Sequence, residues 1–246
     1  MSRRLILAAL LVTVFAAPLA AQSRSRPGPH QVSFNLGYFT PRGEDARVSG
    51  DVLLADLGYF AFRIDDFNDA SFGGDYLFSL GDFFEVGAGV SYYQGSAFSV
   101  YPDLVYESGA EIVQELKLRI VPVTATVRFL PLSKNAPIQP YIGGGVAYLP
   151  WKYSETGDFV DYETDPPTIF HPEGGYVDSG SAMGFLVLGG ARVRVGSRYA
   201  LGGEIRYQWG SSDIGTECST NERACFYGDK IDLGGFTYNF TFNVRF

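Results

Sequence analysis

Residues 234–246 decide the fold, and they read Gly-Gly-Phe-Thr-Tyr-Asn-Phe-Thr-Phe-Asn-Val-Arg-Phe. Every second residue from Phe236 onward is apolar, and the residues between are small or polar. A β-strand sends successive side chains to opposite faces, so the pattern predicts a strand with one aromatic face and one polar face. Two folds accommodate such a strand: the core of a soluble sandwich, and a membrane barrel with lipid outside and a polar lumen inside.

The beginning of the chain is typical of an exported protein. A short positive region, Ser2 to Arg4, precedes a short apolar run, Leu5 to Phe15, and a small-residue segment, Ala17 to Gln22. These features predict a signal peptide over residues 1–21, followed by a periplasmic leader over 22–30. No later stretch reaches the roughly 20 apolar residues of a spanning helix, so a place in a membrane would require a closed barrel.

The composition favours an all-β chain. It holds 20 Phe, 16 Tyr and 30 Gly, but only two Met and two His. Asp and Glu number 27 against 19 Lys and Arg, a net charge of -8, which argues against a nucleic-acid partner. Nothing in the sequence indicates a second domain, so we predict one domain over residues 31–246.

Eight alternating segments predict eight strands with connections of two kinds. The strands are expected near 31–39, 71–80, 83–93, 112–130, 138–149, 183–195, 199–209 and 231–246. The connections alternate between short (81–82, 131–137, 196–198) and long (40–70, 94–111, 150–182, 210–230). Short periplasmic turns opposite long external loops are typical of an outer-membrane barrel. We therefore predict an eight-stranded antiparallel up-and-down transmembrane β-barrel in the outer membrane of a Gram-negative-type cell.

The fourth strand breaks its own alternation. Its apolar residues change phase by one position next to Pro122. An extra residue in a strand has that effect, and proline in strands tends to lie at bulges. We therefore predict a bulge at Ile120 to Pro122.

The rival fold is a secreted lipocalin-like barrel, whose apolar face would point inward. Alternation alone does not separate inside from outside. Aromatic residues near the strand ends and the segregation of long and short loops favour the membrane barrel.

Four segments carry a family resemblance: Ile120 to Val123, Pro140 to Gly145, Gly203 to Tyr207, and Tyr238 to Phe246. Through them the chain resembles the small eight-stranded outer-membrane proteins of the OmpA/OmpW type, the outer membrane protein β-barrel domain. The terminal segment resembles a barrel assembly signal, carried by Tyr238, Phe240, Phe242, Val244 and Phe246. The resemblance implies passage of small hydrophobic molecules. We also expect contact with outer-membrane lipid and lipopolysaccharide, the barrel assembly machinery as a partner, and a monomer.

Charged residues dominate the face expected to line the lumen. They are Asp75, Glu85, Glu115, Lys117, Arg119, Arg128, Arg192, Arg194, Glu204, Arg206 and Arg245. An eight-stranded barrel is just wide enough for side chains to fill, and charges in that interior must pair. The set therefore indicates either a salt-bridged plug or a narrow pore biased toward anions.

The four long connections hold 21 of the 27 acidic residues. Such an end is either a solvated, self-repelling surface or a surface bridged to lipopolysaccharide by divalent cations. Asp158, Asp161, Glu163 and Asp165 form the densest group, but their spacing matches no defined metal loop. We therefore predict no metal site and no cofactor, with these four as the weak metal candidates.

Two of the long connections are also apolar. Their candidate residues are Leu53, Leu54, Phe60 and Phe62 in the first and Phe98 and Tyr101 in the second. They predict either a small core between the loops or a vestibule that receives small apolar molecules.

Cys218 and Cys225 lie in the fourth long connection, and in an exported protein the pair predicts a disulfide. The only histidines are His30 and His171, and neither has a serine nucleophile in a matching pattern, so we predict no enzyme. The chain is then a barrel that is structural or passes small hydrophobic molecules through its lumen or a lateral opening. The alternative is a loop-mediated surface binding protein or adhesin with a closed lumen.

Overall fold

The computed structural model describes residues 28–215 and 226–246, in which eight long strands close into one antiparallel ring. The strands are β1 His30–Pro41, β2 Asp69–Leu80, β3 Phe84–Val105, β4 in two segments (Glu111–Ile120 and Val123–Phe129), β5 Ile138–Gly157, β6 Tyr176–Val195, β7 Tyr199–Trp209 and β8 Gly235–Arg245. Each pairs with the next, and β8 pairs with β1 from Gln31↔Arg245 to Pro41↔Gly235. No edge is left unpaired, and the predicted eight-stranded barrel is confirmed.

The terminal strand β8 shows which way the two faces point. Phe236, Tyr238 and Phe240 are exposed on the outside, whereas Asn243 and Arg245 are buried in the interior. The apolar face therefore points outward, as lipid requires, and the inverted lipocalin-like arrangement is wrong for this barrel. Of the remaining residues of the assembly-signal segment, Phe242 and Phe246 are exposed and Val244 is half-buried. Their recognition by the assembly machinery stays a prediction.

Three strands are longer than the alternation predicted. β3 has 22 residues, and β5 and β6 have 20 each, about twice the 9–11 residues that cross a bilayer. The extra length converts much of the predicted loops 94–111 and 150–182 into strand. The barrel therefore continues above the bilayer on the side of the long loops.

The interior changes character along this extended barrel. Every even-numbered residue of β4 from Ile112 to Arg128 faces inward. In the lower part these are Thr124, Thr126 and Arg128, and in the upper part they are mostly apolar: Ile112, Leu116, Leu118 and Ile120, with Gln114 as the polar member. Within the bilayer the interior is polar and the outside apolar, and above the bilayer this polarity is inverted.

The inversion, and no bulge, explains the phase change next to Pro122. β3 pairs Tyr93 with Ile120 and Val90 with Val123, so both strands advance by three residues. On the other side, β5 pairs Trp151 with Ile120 and Tyr148 with Val123, so β5 also advances by three residues. Pro122 lacks an N–H, but its carbonyl accepts a bond from Ser91 N–H at 3.0 Å. The predicted bulge at Ile120 to Pro122 is wrong, because no extra residue is inserted there.

The two ends of the barrel differ as expected. At the short end the turns 81–83 and 196–198 contain Gly81 and Gly196 at φ +71° and +83°, conformations that favour glycine. At the long end the first connection holds helix α1, Val52–Asp56, between two 3-10 helices, Glu44–Ala46 and Ile64–Phe67. Short strand pairs lie further on: Phe159–Asp161 with Thr168–Phe170, and Ser211–Asp213 with Lys230–Asp232.

Among residues 28–215 and 226–246, no helix has the length and apolar character needed to span a bilayer. The predicted signal peptide, most of the predicted leader and both cysteines lie outside the described residues. The signal peptide and the Cys218–Cys225 disulfide stay predictions.

Candidate functional site

A central ion cluster crosses the polar part of the lumen. It consists of Asp75 on β2, Arg128 on β4, and Glu204 and Arg206 on β7. Arg128 Nη2 lies 3.1 Å from Glu204 Oε2 and 3.5 Å from Asp75 Oδ2. Arg206 contacts the same two carboxylates. Two negative and two positive charges therefore neutralise one another in the buried interior.

Neutral side chains hold the central ion cluster in place. Asn35 Nδ2 donates to Asp75 Oδ2 at 2.8 Å, and Tyr141 Oη donates to Glu204 Oε2 at 3.0 Å. The Tyr141 ring also faces the guanidinium of Arg128, 5.1 Å from its centroid. Hydrogen bonds to the remaining lone pairs are what a buried ion cluster needs to be stable.

A glycine opposite Tyr141 makes room for that ring. A Cβ atom at Gly190 would lie 2.7 Å from the Tyr141 hydroxyl oxygen and 2.4 Å from the Gly203 carbonyl oxygen. Such contacts are too short for any side chain, so position 190 requires glycine for packing.

A second, periplasmic cluster lies at the short-turn end of the lumen. Arg192 pairs with Glu85 and donates from Nε to Gln139 Oε1 at 2.8 Å. Arg245 donates to the same Gln139 oxygen at 2.5 Å and to Gln31 Oε1 at 2.8 Å. Among the described residues Arg245 forms no ion pair, so amide oxygens stabilise its charge in place of a carboxylate.

One cavity described among these lumen contacts is small. Above the central ion cluster lies a cavity of about 30 Å³, bordered by residues such as Asn35, Tyr93, Thr124 and Arg206. That volume accommodates one or two water molecules. The geometry favours a salt-bridged plug over an open pore.

Three charged residues assigned to the lumen from sequence lie elsewhere. Glu115, Lys117 and Arg119 are on the outer face of the upper part of β4, where Lys117 Nζ is 3.0 Å from Glu115 Oε1. The lumen assignment of these three residues is wrong because the polarity inverts above Pro122. Arg194 lies half-buried at the short-turn end and donates to the Asn135 carbonyl at 3.3 Å.

The first long connection folds down into the outer end of the barrel, and we call residues 42–68 the mouth plug. Leu53 and Phe67 in the plug are fully buried, and the Phe60 ring packs edge-on against Tyr101 of β3 at 5.1 Å. The Tyr93 hydroxyl of β3 donates to the Phe67 carbonyl. The plug thereby fills the apolar part of the interior.

The apolar loop candidates divide into three groups. Leu53, Phe60 and Tyr101 are buried, whereas Leu54 and Phe62 are half-buried. Phe98 is 71% exposed on the outside of β3, because its side chain points away from that of Tyr101. Phe98 therefore does not belong to an internal vestibule. The buried members favour a small core between loops over an empty vestibule.

Two carboxyl groups are buried together where the mouth plug meets the barrel wall. Asp56, at the end of α1, is 0% exposed, and Glu155, in the part of β5 above the bilayer, is 3% exposed. Tyr153 Oη donates to Asp56 Oδ2 at 2.7 Å, and no ion pair among the described residues includes either carboxyl.

Burial raises the pKa of Asp56 to about 7; hydrogen bonds from Tyr153 and Glu155 oppose this, and the Asp51 charge adds to it. Burial and the neighbouring Asp56 raise the pKa of Glu155 well above its usual range. The two groups therefore hold at least one proton between them near neutral pH.

A mouth cavity of about 260 Å³ lies beside this carboxyl pair. Its lining is aromatic and acidic: Tyr59, Tyr101, Glu155, Phe159, Val160, Asp161, Tyr162, Glu163, Phe170, Tyr176 and Tyr227. Tyr59 and Tyr227 stack with their ring centroids 3.9 Å apart and form one wall. The mouth cavity is much larger than the cavity in the lumen, and it lies on the external side of the mouth plug.

The acidic group 158–165 is not gathered around one point. Asp158 accepts from the Tyr106 hydroxyl and contacts His171 Nδ1 at 2.9 Å, while Asp161 Oδ1 accepts from Glu163 N–H at 2.9 Å. Within the described ranges, no three His, Cys, Asp or Glu side chains come together in a way that could hold a metal ion. The four weak metal candidates, Asp165 included, therefore gain no support.

The two histidines lie at opposite ends of the barrel. His30 bonds the Tyr76 hydroxyl at 2.5 Å and stacks on Phe246, and His171 bonds Asp158. In the part of the chain that the structure describes, neither of these bonds involves a serine. That the protein is not an enzyme stays a prediction.

Sequence reasoning missed Tyr141, Asp56 and Glu155. Tyr141 and Glu155 occupy odd-numbered positions of β5, as does Gln139, and these positions face inward. Strict alternation along that strand would therefore have placed both side chains inside the barrel. No local signal identifies Asp56, since its burial depends on how the mouth plug folds.

Comparison with known proteins gives one family. The family model described as "Outer membrane protein beta-barrel domain" matches residues 6–246. No curated protein matches the chain.

Solved structures similar to the chain are small barrels. The outer membrane protein OprG from Pseudomonas aeruginosa is 12% identical, with 90% of this chain and 98% of that chain covered and a TM-score of 0.51. Neisserial surface protein A is 12% identical over 90% and 100%, with a TM-score of 0.47. The attachment invasion locus protein of Yersinia pestis, with a bound heparin analogue, is 14% identical over 88% and 99%, with a TM-score of 0.42. At these identities the likeness extends to the fold alone.

Proposed function

We propose that this chain, which belongs to the outer membrane protein beta-barrel domain family, is a non-conducting barrel that acts through its external mouth. Its outward apolar belt is in contact with membrane lipid. The observation that carries the proposal is the position of free volume: about 260 Å³ at the mouth against about 30 Å³ in the lumen. The function is then loop-mediated binding at the cell surface.

The closed lumen follows from the cost of separating its charges. Opening a path through the central ion cluster would expose or unpair Asp75 and Glu204, which Arg128 and Arg206 now neutralise. Breaking a buried pair costs about 3–5 kcal/mol, so the open state is scarcely populated. The mouth plug is a second barrier above it.

Single-channel recording tests the closed lumen. Purified, refolded barrel in a planar bilayer should produce no discrete conductance steps, with folding checked by heat-dependent gel mobility. A variant that lacks residues 44–66 should also be silent, because the central ion cluster still fills the lumen. Discrete steps from the full chain would overturn the non-conducting proposal.

A second candidate function is lateral passage of small hydrophobic molecules into the bilayer. It is favoured by one observation: the cavity above the central ion cluster reaches the barrel wall at Phe72 and Pro122, and Ile120 and Leu186 also line it. A displaced mouth plug would leave an apolar route to that wall. Equal rates of uptake of a fluorescent hydrophobic dye by membranes with and without the barrel would exclude this function.

Three partner and assembly statements belong to the same proposal. We propose contact of the acidic outer end with lipopolysaccharide, recognition of β8 by the barrel assembly machinery, and a monomeric state. The outward aromatic face of β8 supports the second, and the acidic residues of the long connections are the basis of the first.

A further inference from the structure

The mouth cavity combines aromatic walls with negative charge. Tyr59 and Tyr227 form a stacked wall that is partly open to solvent, and Tyr101 lies buried against the Tyr162 ring at 6.2 Å. The faces of such rings carry partial negative charge and attract cations within about 6 Å of the centroid. None of the described residues that line the cavity is basic.

Glu155 lines the cavity and adds a carboxyl group. Its side chain is 3% exposed, and its Oε1 atom has no hydrogen-bond partner among the described residues. A buried carboxyl oxygen without a partner costs free energy, and a cation placed beside it would recover that cost. Glu155 forms a pair with Asp56 that holds at least one proton, so the pair supplies at most one negative charge, and a bound cation would favour that ionised form.

We propose that the mouth cavity binds a quaternary ammonium group, with the tyrosine faces around the methyl groups and Glu155 beside the charge. The inference rests on the proposed function, since it names the ligand class of the same external mouth. A volume of about 260 Å³ lies just below the usual range of pockets for drug-sized ligands, which suits a compact head group.

Other ligand classes fit the cavity less well. A divalent cation needs six or more oxygen ligands or several waters, and no group of three acidic side chains converges within the described ranges. An anion would meet an acidic lining in which none of the described residues is basic. A neutral apolar molecule would leave the already buried Glu155 oxygen without a partner.

Calorimetric titration of the refolded full chain in a maltoside detergent tests the site. The two probes are choline and 3,3-dimethyl-1-butanol, which has nearly the same shape but no charge. We expect saturable binding of choline and binding of the neutral probe that is weaker by about tenfold or more. Absence of choline binding, or equal affinity for both probes, would overturn the inference, and neither comparison depends on a variant folding.

Substitutions locate the binding in the cavity. Glu155→Gln should weaken choline binding by about tenfold, and Tyr59→Ala by roughly three- to tenfold, while Tyr59→Phe keeps the ring and stays within about twofold. Glu111→Gln removes an exposed carboxyl at the same end of the barrel, outside the cavity, and should change nothing. Unchanged affinity in Glu155→Gln would place the binding elsewhere and contradict the inference.

Glycerophosphocholine separates two sources of the same chemistry. Affinity equal to that of choline would point to a lipid head group, whereas clearly weaker affinity would point to a free ammonium compound, since Glu163 in the lining would repel the phosphate. A barrel that is silent in the bilayer but binds no choline would retain the proposed function and lose this inference. A conducting barrel that binds choline would do the reverse.

Discussion

Protection of the mouth plug against hydrogen exchange is expected to fall as the pH rises from about 4 to about 7. Burial raises the pKa of Asp56 from 3.8 to about 7 in the closed plug, so the closed form binds its proton more tightly than the open form. The Asp56 contribution to the stability of the closed plug is therefore fully present below pH 3.8 and is lost through the interval up to about 7, and the raised pKa of Glu155 extends the loss to higher pH.

The groups that face Asp56 and Glu155 reinforce this direction. Asp51 adds negative charge from the beginning of α1, and Tyr153 and Tyr227 contribute only neutral hydroxyls near neutral pH. Arg47 is close in sequence, but its guanidinium is engaged by Asp51. A shift of about three pKa units corresponds to a loss of up to about 4 kcal/mol over the interval.

Hydrogen-exchange mass spectrometry at pH 5, 6, 7 and 8, corrected for the intrinsic exchange rate, measures this effect in peptides from residues 42–68. Asp56→Asn should flatten the profile between pH 5 and 7 and raise protection at pH 8, because Asp56 can then no longer ionise, whereas Glu155 still titrates at higher pH. The control is Asp45→Asn, which removes an exposed carboxyl from the same plug and should leave the profile unchanged. A profile that is flat in the unsubstituted protein would contradict the coupling.

The ring of strands could be predicted because lipid and lumen impose opposite demands on the two faces of each strand. In β8 the demand is satisfied at every position from Phe236 to Arg245, so the alternation identifies strand, faces and membrane at once. The same rule failed above Pro122, where water replaces lipid outside and the mouth plug replaces the polar lumen inside. Leu116 and Leu118 point inward like Thr124 and Arg128, but above Pro122 the apolar side chains are the inward ones. From the sequence alone, this change of apolar face was interpreted as a bulge.

The candidate sites were less accessible from sequence for a related reason. Inward parity identified Asp75, Arg128, Glu204 and Arg206, whose partners depend on the register between strands that are distant in sequence. The mouth cavity depends on a loop, and Asp56 meets Glu155 across 99 positions of sequence with no periodic pattern between them. A strand register follows from alternation and pairing, whereas the path of a 27-residue connection does not.

Removal of one guanidinium from the central ion cluster should produce the largest loss of stability. In Arg128→Met the two carboxylates of Asp75 and Glu204 remain buried with Arg206 alone, and the lumen carries an uncompensated negative charge. Breaking a buried pair in this way costs about 3–5 kcal/mol, because the remaining charge has no water to solvate it. Methionine approximates the length of the arginine stem, so the loss reports the charge rather than a cavity.

Arg119→Met is the matched control, since it makes the same substitution in the same strand on the outer face. Arg119 is exposed, and its replacement should change the free energy of unfolding by less than about 0.5 kcal/mol. Reversible urea unfolding in lipid vesicles measures both variants. A large loss in Arg119→Met would restore the lumen assignment predicted for Arg119 and contradict the inversion of polarity at Pro122. A small loss in Arg128→Met would contradict the central ion cluster.

The cluster can be separated into its pairs by a double-substitution cycle. Asp75→Asn and Arg206→Met should each be costly alone, whereas the combination should cost clearly less than their sum, because each removes the charge that the other leaves unpaired. Additive losses would mean that the two side chains are stabilised independently, by Asn35 and Glu204 respectively. In that case the closed lumen would depend on local hydrogen bonds, and one charged residue of the central ion cluster could be replaced by a neutral one without opening the lumen.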